Sequence, residues 1–270
     1  MFDIFHSIVL ELKALDSGEI KFYPGNNIHA FFLRAIRKFD EKISKKLHDQ
    51  KREKPFTVSS FLGTEVDEPI SIRTGKSYYI RLTILESNVF DIFTKSLLEK
   101  GVLQDVVNIG SIRFSIERVV FHNRFSNWAG KVSVEELFEK SLPSQKVLIR
   151  FYTPTLFKTG DLHFRYPDPV KIFTGLLNKF NSYSKIELDN SISKKFSEIV
   201  VSKKRTMKKR VYFKNFYLEG FVGDVEFLLP FNDEVLLKNI NLLANFSFYA
   251  GVGYKTPMGL GQAKMIDING

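Results

Sequence analysis

The spacing of apolar positions changes several times along the chain, and each change marks an element. Apolar and polar side chains alternate from Ile8 to Leu12 within residues 5–15, the period of a half-buried strand. Turn formers follow at Ser17-Gly18 and Pro24-Gly25. From Ile28 the spacing lengthens, with Phe31, Phe32, Ala35, Ile36 and Phe39 on one side and Arg34, Arg37 and Lys38 on others, which predicts an amphipathic helix. Asp40 is placed to N-cap a second, short helix that turns Ile43 and Leu47 inward and ends near His48. Residues 77–85 read as a strand, 87–100 as a helix stopped by Gly101, and 111–122 as a strand.

The second half repeats that order. Residues 146–152 are strand-like, and 170–180 form a helix carrying Ile172, Phe173, Leu176, Leu177 and Phe180. Residues 210–216 and 221–229 are β-rich, 233–249 a long amphipathic helix and 263–268 a closing strand. Each half therefore reads β-α-β-β-α-β, with one strand of the first half inferred rather than seen. That is an α+β fold of two tandem ferredoxin-like, RRM-like domains. The expected division is residues 1–125, a polar linker at 126–145 and residues 146–270; Ser133-Val-Glu-Glu136 in the linker is a capping box for a short helix. No sequence motif recurs between the halves, so a single mixed α+β domain is the alternative.

Composition bounds the chemistry. A chain of 270 residues, 44% apolar and 26% charged, has the make-up of a soluble globular protein of one large or two ordinary domains. No apolar run approaches the roughly 18 residues that cross a bilayer, and Asp3 stands where a signal peptide needs positive charge, so the expected compartment is the cytoplasm, with no membrane partner. The absence of cysteine excludes disulfides, thiol nucleophiles, cysteine-held zinc and iron–sulfur clusters. A net charge of +10 makes a polyanion the first partner to consider. Lysine supplies 28 of the 40 cations in a chain also rich in Phe, Ile and Asn, so compositional bias explains part of that charge.

The most distinctive motif is Gly251-Val-Gly-Tyr-Lys-Thr-Pro-Met-Gly-Leu-Gly261. Gly251, Gly253, Gly259 and Gly261 permit turns and close backbone approach, so successive N–H groups with Lys255 could line an anion-binding concavity. Too few residues follow Gly261 to complete a dinucleotide-binding unit, and no Gly-Lys-Ser/Thr closes a Walker A loop. The plain alternative is a helix-to-strand connector. A second charged feature, Lys203, Lys204, Arg205, Lys208, Lys209 and Arg210, precedes Tyr212, Phe213, Phe216 and Tyr217. It reads either as a solvated loop or strand edge or as phosphate contacts beside rings that stack on bases.

Residues 246–264, from Phe246-Ser-Phe-Tyr through the glycine motif to Gln262-Ala-Lys264, resemble the C-terminal glycine-rich signature of the CRISPR-associated endoribonucleases that cut repeat RNA into guide RNAs. Leu47-His-Asp-Gln followed by Lys54-Pro-Phe-Thr-Val-Ser59 resembles that family's histidine region. Tyr152-Thr-Pro-Thr-Leu-Phe157 with Pro167 resembles the start of its second domain, and Gly220-Phe-Val-Gly-Asp-Val225 its late hairpin. The likeness spans residues from about 28 to 265. It implies two tandem ferredoxin-like domains, CRISPR repeat RNA as partner, and cleavage by the ribose 2′-OH that needs no metal or cofactor. Subunits of a CRISPR effector complex are a further partner that it suggests.

Such a reaction asks for a proton acceptor at the 2′-OH, a donor at the leaving 5′-oxygen and positive charge at the phosphorane. Five histidines compete. His6 and His122 sit in strand patterns and read as structural, and His163 as a loop residue. His48 matches the family's catalytic histidine and is assigned general acid/base. His29 is its rival or partner: on one straight helix the two would lie roughly 28 Å apart, whereas a break at Asp40 folds the chain back. Lys54 matches a lysine that stabilises the transition state in relatives, with Lys51 and Arg52 as alternatives. Several relatives carry a tyrosine in the first helix, where this chain has Phe31, Phe32 and Leu33, so either His29 or Tyr23 substitutes, or His48 works with electrostatic help alone, or activity is weak; the alternative function is a catalytically silent repeat-RNA-binding subunit. A tandem RNA-recognition-motif binder lacks the Lys/Arg-Gly-Phe-Gly-Phe strand.

Overall fold

The computed structural model describes residues 3–50, 53–65 and 69–266. The first half runs β1 (Ile4–Ala14), β2 (Gly18–Ile20), α1 (Gly25–Phe39), α2 (Glu41–Asp49), β3 (Phe56–Val58), β4 (Ile70–Ile72), β5 (Ser77–Ile84), α3 (Ser87–Glu99), β6 (Val107–Ile109) and β7 (Ile112–Val120). β8 (Gly130–Ser133) and α4 (Val134–Lys140) follow. The second half runs β9 (Lys146–Thr155), the short pair β10 (Phe157–Thr159) and β11 (Leu162–Phe164), α5 (Pro169–Tyr183), β12 (Val200–Tyr212), β13 (Tyr217–Leu228), α6 (Glu234–Ala250) and β14 (Ala263–Ile266).

Both halves show the same strand order. The first sheet is β3-β5-β1-β7-β6 and the second is β12-β13-β9-β14. β1 lies between β5 and β7, and β9 between β13 and β14, each antiparallel to both neighbours, which is the split βαβ arrangement expected of a ferredoxin-like fold. β3 is the strand that periodicity left to inference; three residues are too short to show an alternation.

The apolar spacing of α1 becomes its buried face of Ile28, Phe31, Phe32, Ala35 and Ile36. Phe32 stacks between Phe56 and Phe93 at centroid distances of 4.5 and 5.3 Å, and each ring so buried contributes about 1.5–3 kcal/mol. Asp40 breaks the helix with φ −143° and ψ 105°, and its carboxylate accepts from the Ile43 amide to start α2. Ser44 Oγ then donates to Leu33 O at 2.9 Å, pinning α2 back along α1.

The segment between the halves does more than connect them. β8 pairs with β1, while the capping box of Ser133 and Glu136 starts α4 as its spacing predicts. Val134 and Leu137 enter the second half's apolar core together with Phe5 and Leu85. Arg81 of β5 rivets the junction. Buried completely, it donates to Ser7 Oγ, to Gln262 Oε1 and to Phe248 O at 2.5–2.7 Å, with its guanidinium 4.0 Å from the Phe248 ring and 5.1 Å from Trp128.

One expected element differs. Residues 210–216 are not a strand of their own: β12 begins ten residues earlier, carries the whole basic run, and turns at 213–216 into β13. Charged side chains on both faces of an edge strand leave no apolar alternation to read. Of the closing strand expected at 263–268, the last two positions lie outside the described residues.

Candidate active site

The reversal at Asp40 brings the start of α1 and the end of α2 to the same end of a helical hairpin, so His29 and His48 become neighbours instead of lying a helix length apart. His29 Nδ1 is 2.9 Å from the carbonyl oxygen of Pro257, and its ring leans on Phe56 with centroids 5.4 Å apart. A carbonyl only accepts, so Nδ1 carries a hydrogen and the neutral ring keeps its lone pair on Nε2. Burial holds the His29 pKa below the ordinary histidine value; the Pro257 bond opposes this, and the cations Lys54, His48 and Lys255 add to the depression. Those same couplings place four sequence-predicted residues, from α1, α2, the loop before β3 and the glycine motif, in one electrostatic neighbourhood.

His48 is the open member, its side chain 73% exposed, with Nδ1 2.9 Å from Asp49 Oδ1. The hydrogen bond from His48 holds the Asp49 carboxyl below its ordinary range. Lys54 folds under the end of α2 and donates to Leu47 O and, at 3.0 Å, to His48 O. An ammonium there satisfies terminal carbonyls and sits at the negative end of the helix dipole. Burial lowers the Lys54 pKa, with Asp49 pulling the other way. Lys51 and Arg52 lie outside the described residues.

Tyr23 is no proton donor to a substrate. It is 5% exposed, its hydroxyl donates to Gly259 O at 2.6 Å, and burial pushes its pKa up. It props the glycine motif from below. Phe31, Phe32 and Leu33 are buried as well.

The glycine motif is held as a tight knot. Gly261 has φ +65°, and a Cβ there would lie 1.9 Å from Val252 O; at Gly253, φ +84°, it would lie 2.4 Å from Leu156 O. The amides of Gly251, Val252, Tyr254, Gly259 and Gly261 donate to Ser247, Gly261, Leu156, Thr256 and Pro154 carbonyls. Much of the expected row of anion-binding N–H groups is therefore spent on carbonyls of the loop itself, of α6 and of the β9 end. What the knot presents is Lys255, in a left-handed conformation at φ 58°, with Nζ 5.2 Å from the Tyr254 ring and 5.5 Å from the Phe216 ring.

Sequence reasoning missed Lys179. On α5 its charge reads as part of a solvated face, yet it is 3% exposed. Its Nζ donates to Ala250 O at 2.6 Å and Thr256 Oγ1 at 3.3 Å, with Glu53 Oε2 4.0 Å away, and burial pulls its pKa to about 8. It ties the end of α6 to the glycine motif. Only the glycine spacing signals that something must close around that knot.

The basic strand runs toward the same centre. Its carboxylate neighbours are Glu226 at 3.7 Å from Lys203, Glu65 at 3.0 Å from Lys209 and Glu219 at 2.9 Å from Arg210, while Lys204, Arg205 and Lys208 are exposed. Arg205 pairs in register with Asp224. Arg210 lies 4.5 Å over the Tyr217 ring. The Tyr23 amide donates to Tyr212 O at 2.7 Å, and Phe213 stacks on Phe216 at 4.7 Å. The hairpin end thus docks beside Lys255, making one arc from the basic edge to His29. Of the other histidines, His6 stacks on Phe90 at 3.5 Å and His122 follows β7, whereas His163 is in β11 rather than in a loop and packs its ring against Tyr254 of the glycine motif, with centroids 5.9 Å apart.

Comparison with known proteins accords with this geometry. Residues 4–139 match the CRISPR Cas6 N-terminal domain, and residues 149–263 match the CRISPR-associated endoribonuclease Cas6 family. A Cas6 product complex superposes with a TM-score of 0.83 at 26% identity, over 97% of this chain and 100% of the other. Thermus thermophilus Cas6 gives 0.76 at 25% identity, over 98% and 100%. A second Cas6 product complex, 23% identical, shares the fold with a TM-score of 0.81 over 98% and 100%. No curated protein matches the sequence.

Proposed function

The chain belongs to the CRISPR-associated endoribonuclease Cas6 family, and we propose that it cuts CRISPR repeat RNA without a metal ion, using His29, His48 and Lys54. The observation that supports this reading is the His29–Pro257 contact, which makes Nδ1 the donor and leaves the Nε2 lone pair of a half-buried ring among cations.

Nε2 of His29 takes the proton from a ribose 2′-OH, whose oxygen attacks the adjacent phosphorus. The P–O5′ bond breaks, and exposed His48 gives its proton to the leaving 5′-oxygen. The products are a 2′,3′-cyclic phosphate, which opens to a 3′-phosphate, and a 5′-OH. Lys54 holds the end of α2 that carries His48 and, with Lys255, places positive charge where the phosphorane gains negative charge. Lys203, Lys204, Arg205, Lys208, Lys209 and Arg210 track the RNA backbone, while Gly251, Gly253, Gly259 and Gly261 shape the knot that aims Lys255 at it. The silent-subunit alternative rested on the absence of a tyrosine in α1. His29 supplies a second proton-transfer group in its place.

The test is cleavage of the repeat RNA from the array nearest the gene, in EDTA. Cutting that yields a cyclic phosphate, stops when the ribose before the scissile phosphate is replaced by deoxyribose, and falls 100-fold or more in His48→Ala with binding intact is the expected result. Cutting that persists on the deoxy substrate overturns the mechanism, and undiminished cutting by His48→Ala overturns the assignment.

A further inference from the structure

A cavity of about 530 Å³ opens between α5, the β10–β11 pair and the glycine motif. Its place is informative. Glu53 and Thr256 line it, and each is the immediate chain neighbour of a residue in the cluster above, Lys54 and Lys255. Lys179, bonded to Thr256 Oγ1 at 3.3 Å, forms part of its inner wall.

Its lining has the two components that a nucleotide needs. Tyr254 offers a ring. Lys158 Nζ stands 5.8 Å from that ring, with the fully exposed Asp161 as its one ion partner among the described residues, at 3.9 Å. Lys171 Nζ leans on Thr159 Oγ1 at 3.3 Å and over the Phe164 ring at 4.1 Å. An aromatic face flanked by weakly engaged ammonium groups suits a base and its phosphate, and the volume falls in the range of small-ligand pockets.

A separate observation comes from Gly175, in the interior of α5 and on the pocket wall. A helix-interior glycine is destabilising relative to alanine. Its φ is ordinary for a helix, and a Cβ built on it meets nothing within 4 Å. Neither backbone conformation nor packing requires glycine there. What its missing side chain provides is room in the pocket.

We propose that this pocket receives one unpaired nucleotide of the repeat RNA beside the cleavage site, its base on Tyr254 and its phosphate at Lys158 and Lys171. The proposal rests on the endoribonuclease reading for its ligand. Holding a nucleotide here would fix the register of the RNA relative to His29 and His48, giving the enzyme a means of selecting the bond it cuts.

The probe is the repeat RNA from the nearest array with 2′-deoxyribose at the cut position, carrying a single abasic nucleotide moved stepwise across the sequence. In the unaltered protein, one abasic position should weaken binding about tenfold, the scale of a lost stacking contact. Gly175→Leu, whose Cβ meets nothing within 4 Å and whose longer side chain takes up room in the pocket, and Tyr254→Leu should each weaken the intact RNA by a similar factor and abolish the further effect of that abasic position. Gly175→Leu should melt no lower than the unaltered protein. Unchanged affinity in Gly175→Leu, or an abasic profile identical in both proteins, overturns the pocket. All-ribose RNA assayed in parallel reports on the nuclease reading alone: failure to cut it counts against that reading, while the affinity comparison, made on uncleavable RNA, still decides the pocket.

Discussion

His29 and Pro257 are 228 positions apart in the chain, yet the imidazole Nδ1 lies 2.9 Å from the proline carbonyl oxygen. That contact closes the glycine motif over the helical hairpin and sets the tautomer of the half-buried ring. It also couples the two halves of the fold at the proposed chemical centre, because the residue that fixes the base belongs to the second half and the base to the first.

The protonation of His29 gives a pH-rate prediction. Its pKa lies below 6.5, chiefly because burial disfavours the charged ring. The neutral, base-competent form therefore predominates at pH 7, and the acid limb of kcat/KM should fall below pH 6.5. His29→Ala should lose 100-fold or more in rate and abolish that limb. A limb that persists unchanged in His29→Ala assigns the base to another group.

His6 gives a stability prediction away from the site. It is 9% exposed, and burial, helped by Lys131, takes its pKa from 6.5 to about 4. Between those values the unfolded chain binds a proton that the folded protein does not, so stability rises with pH across pH 4–6.5 and falls as the solution is acidified through that window. The whole effect is about 3 kcal/mol. His6→Phe, which keeps a ring against Phe90, should flatten the dependence of Tm on pH in that window. An equally steep dependence in the variant would place the titration elsewhere.

The strand order of both halves was legible because α1, α3, α5 and α6 each bury one apolar stripe and because Asp40 carries a cap's chemistry at a break in spacing. The closeness of His48 and Lys54 was legible because it is local: one short stretch carries both. It was not legible where it depends on remote closure. Nothing near Tyr23 announces that its hydroxyl will be consumed by Gly259 O, and Lys179 has the sequence appearance of a surface cation until the glycine motif covers it. The full length of β12 was not legible for a different reason, since an edge strand with cations on both faces has no apolar period. The glycine spacing alone reads either as an anion cradle or as a helix-to-strand connector, whereas at Gly253 and Gly261 the decisive fact is the approach of Leu156 O and Val252 O.

Lys255 separates the two uses of that motif. Its backbone is part of the knot, but among the described residues its ammonium touches Met258 Sδ at 3.4 Å and the faces of Tyr254 and Phe216, contacts that contribute little to folding. Lys255→Ala should therefore leave Tm nearly unchanged while lowering the slope of log K against log salt for repeat RNA by about one phosphate contact, 0.7–0.9 units. Its rate of cutting should fall by more than its affinity, because the charge is proposed to act at the phosphorane as well as in the ground state. An unchanged slope would confine Lys255 to shaping the loop. A lower slope with an unchanged rate constant would make it a binding residue alone and leave Lys54 as the cation at the transition state.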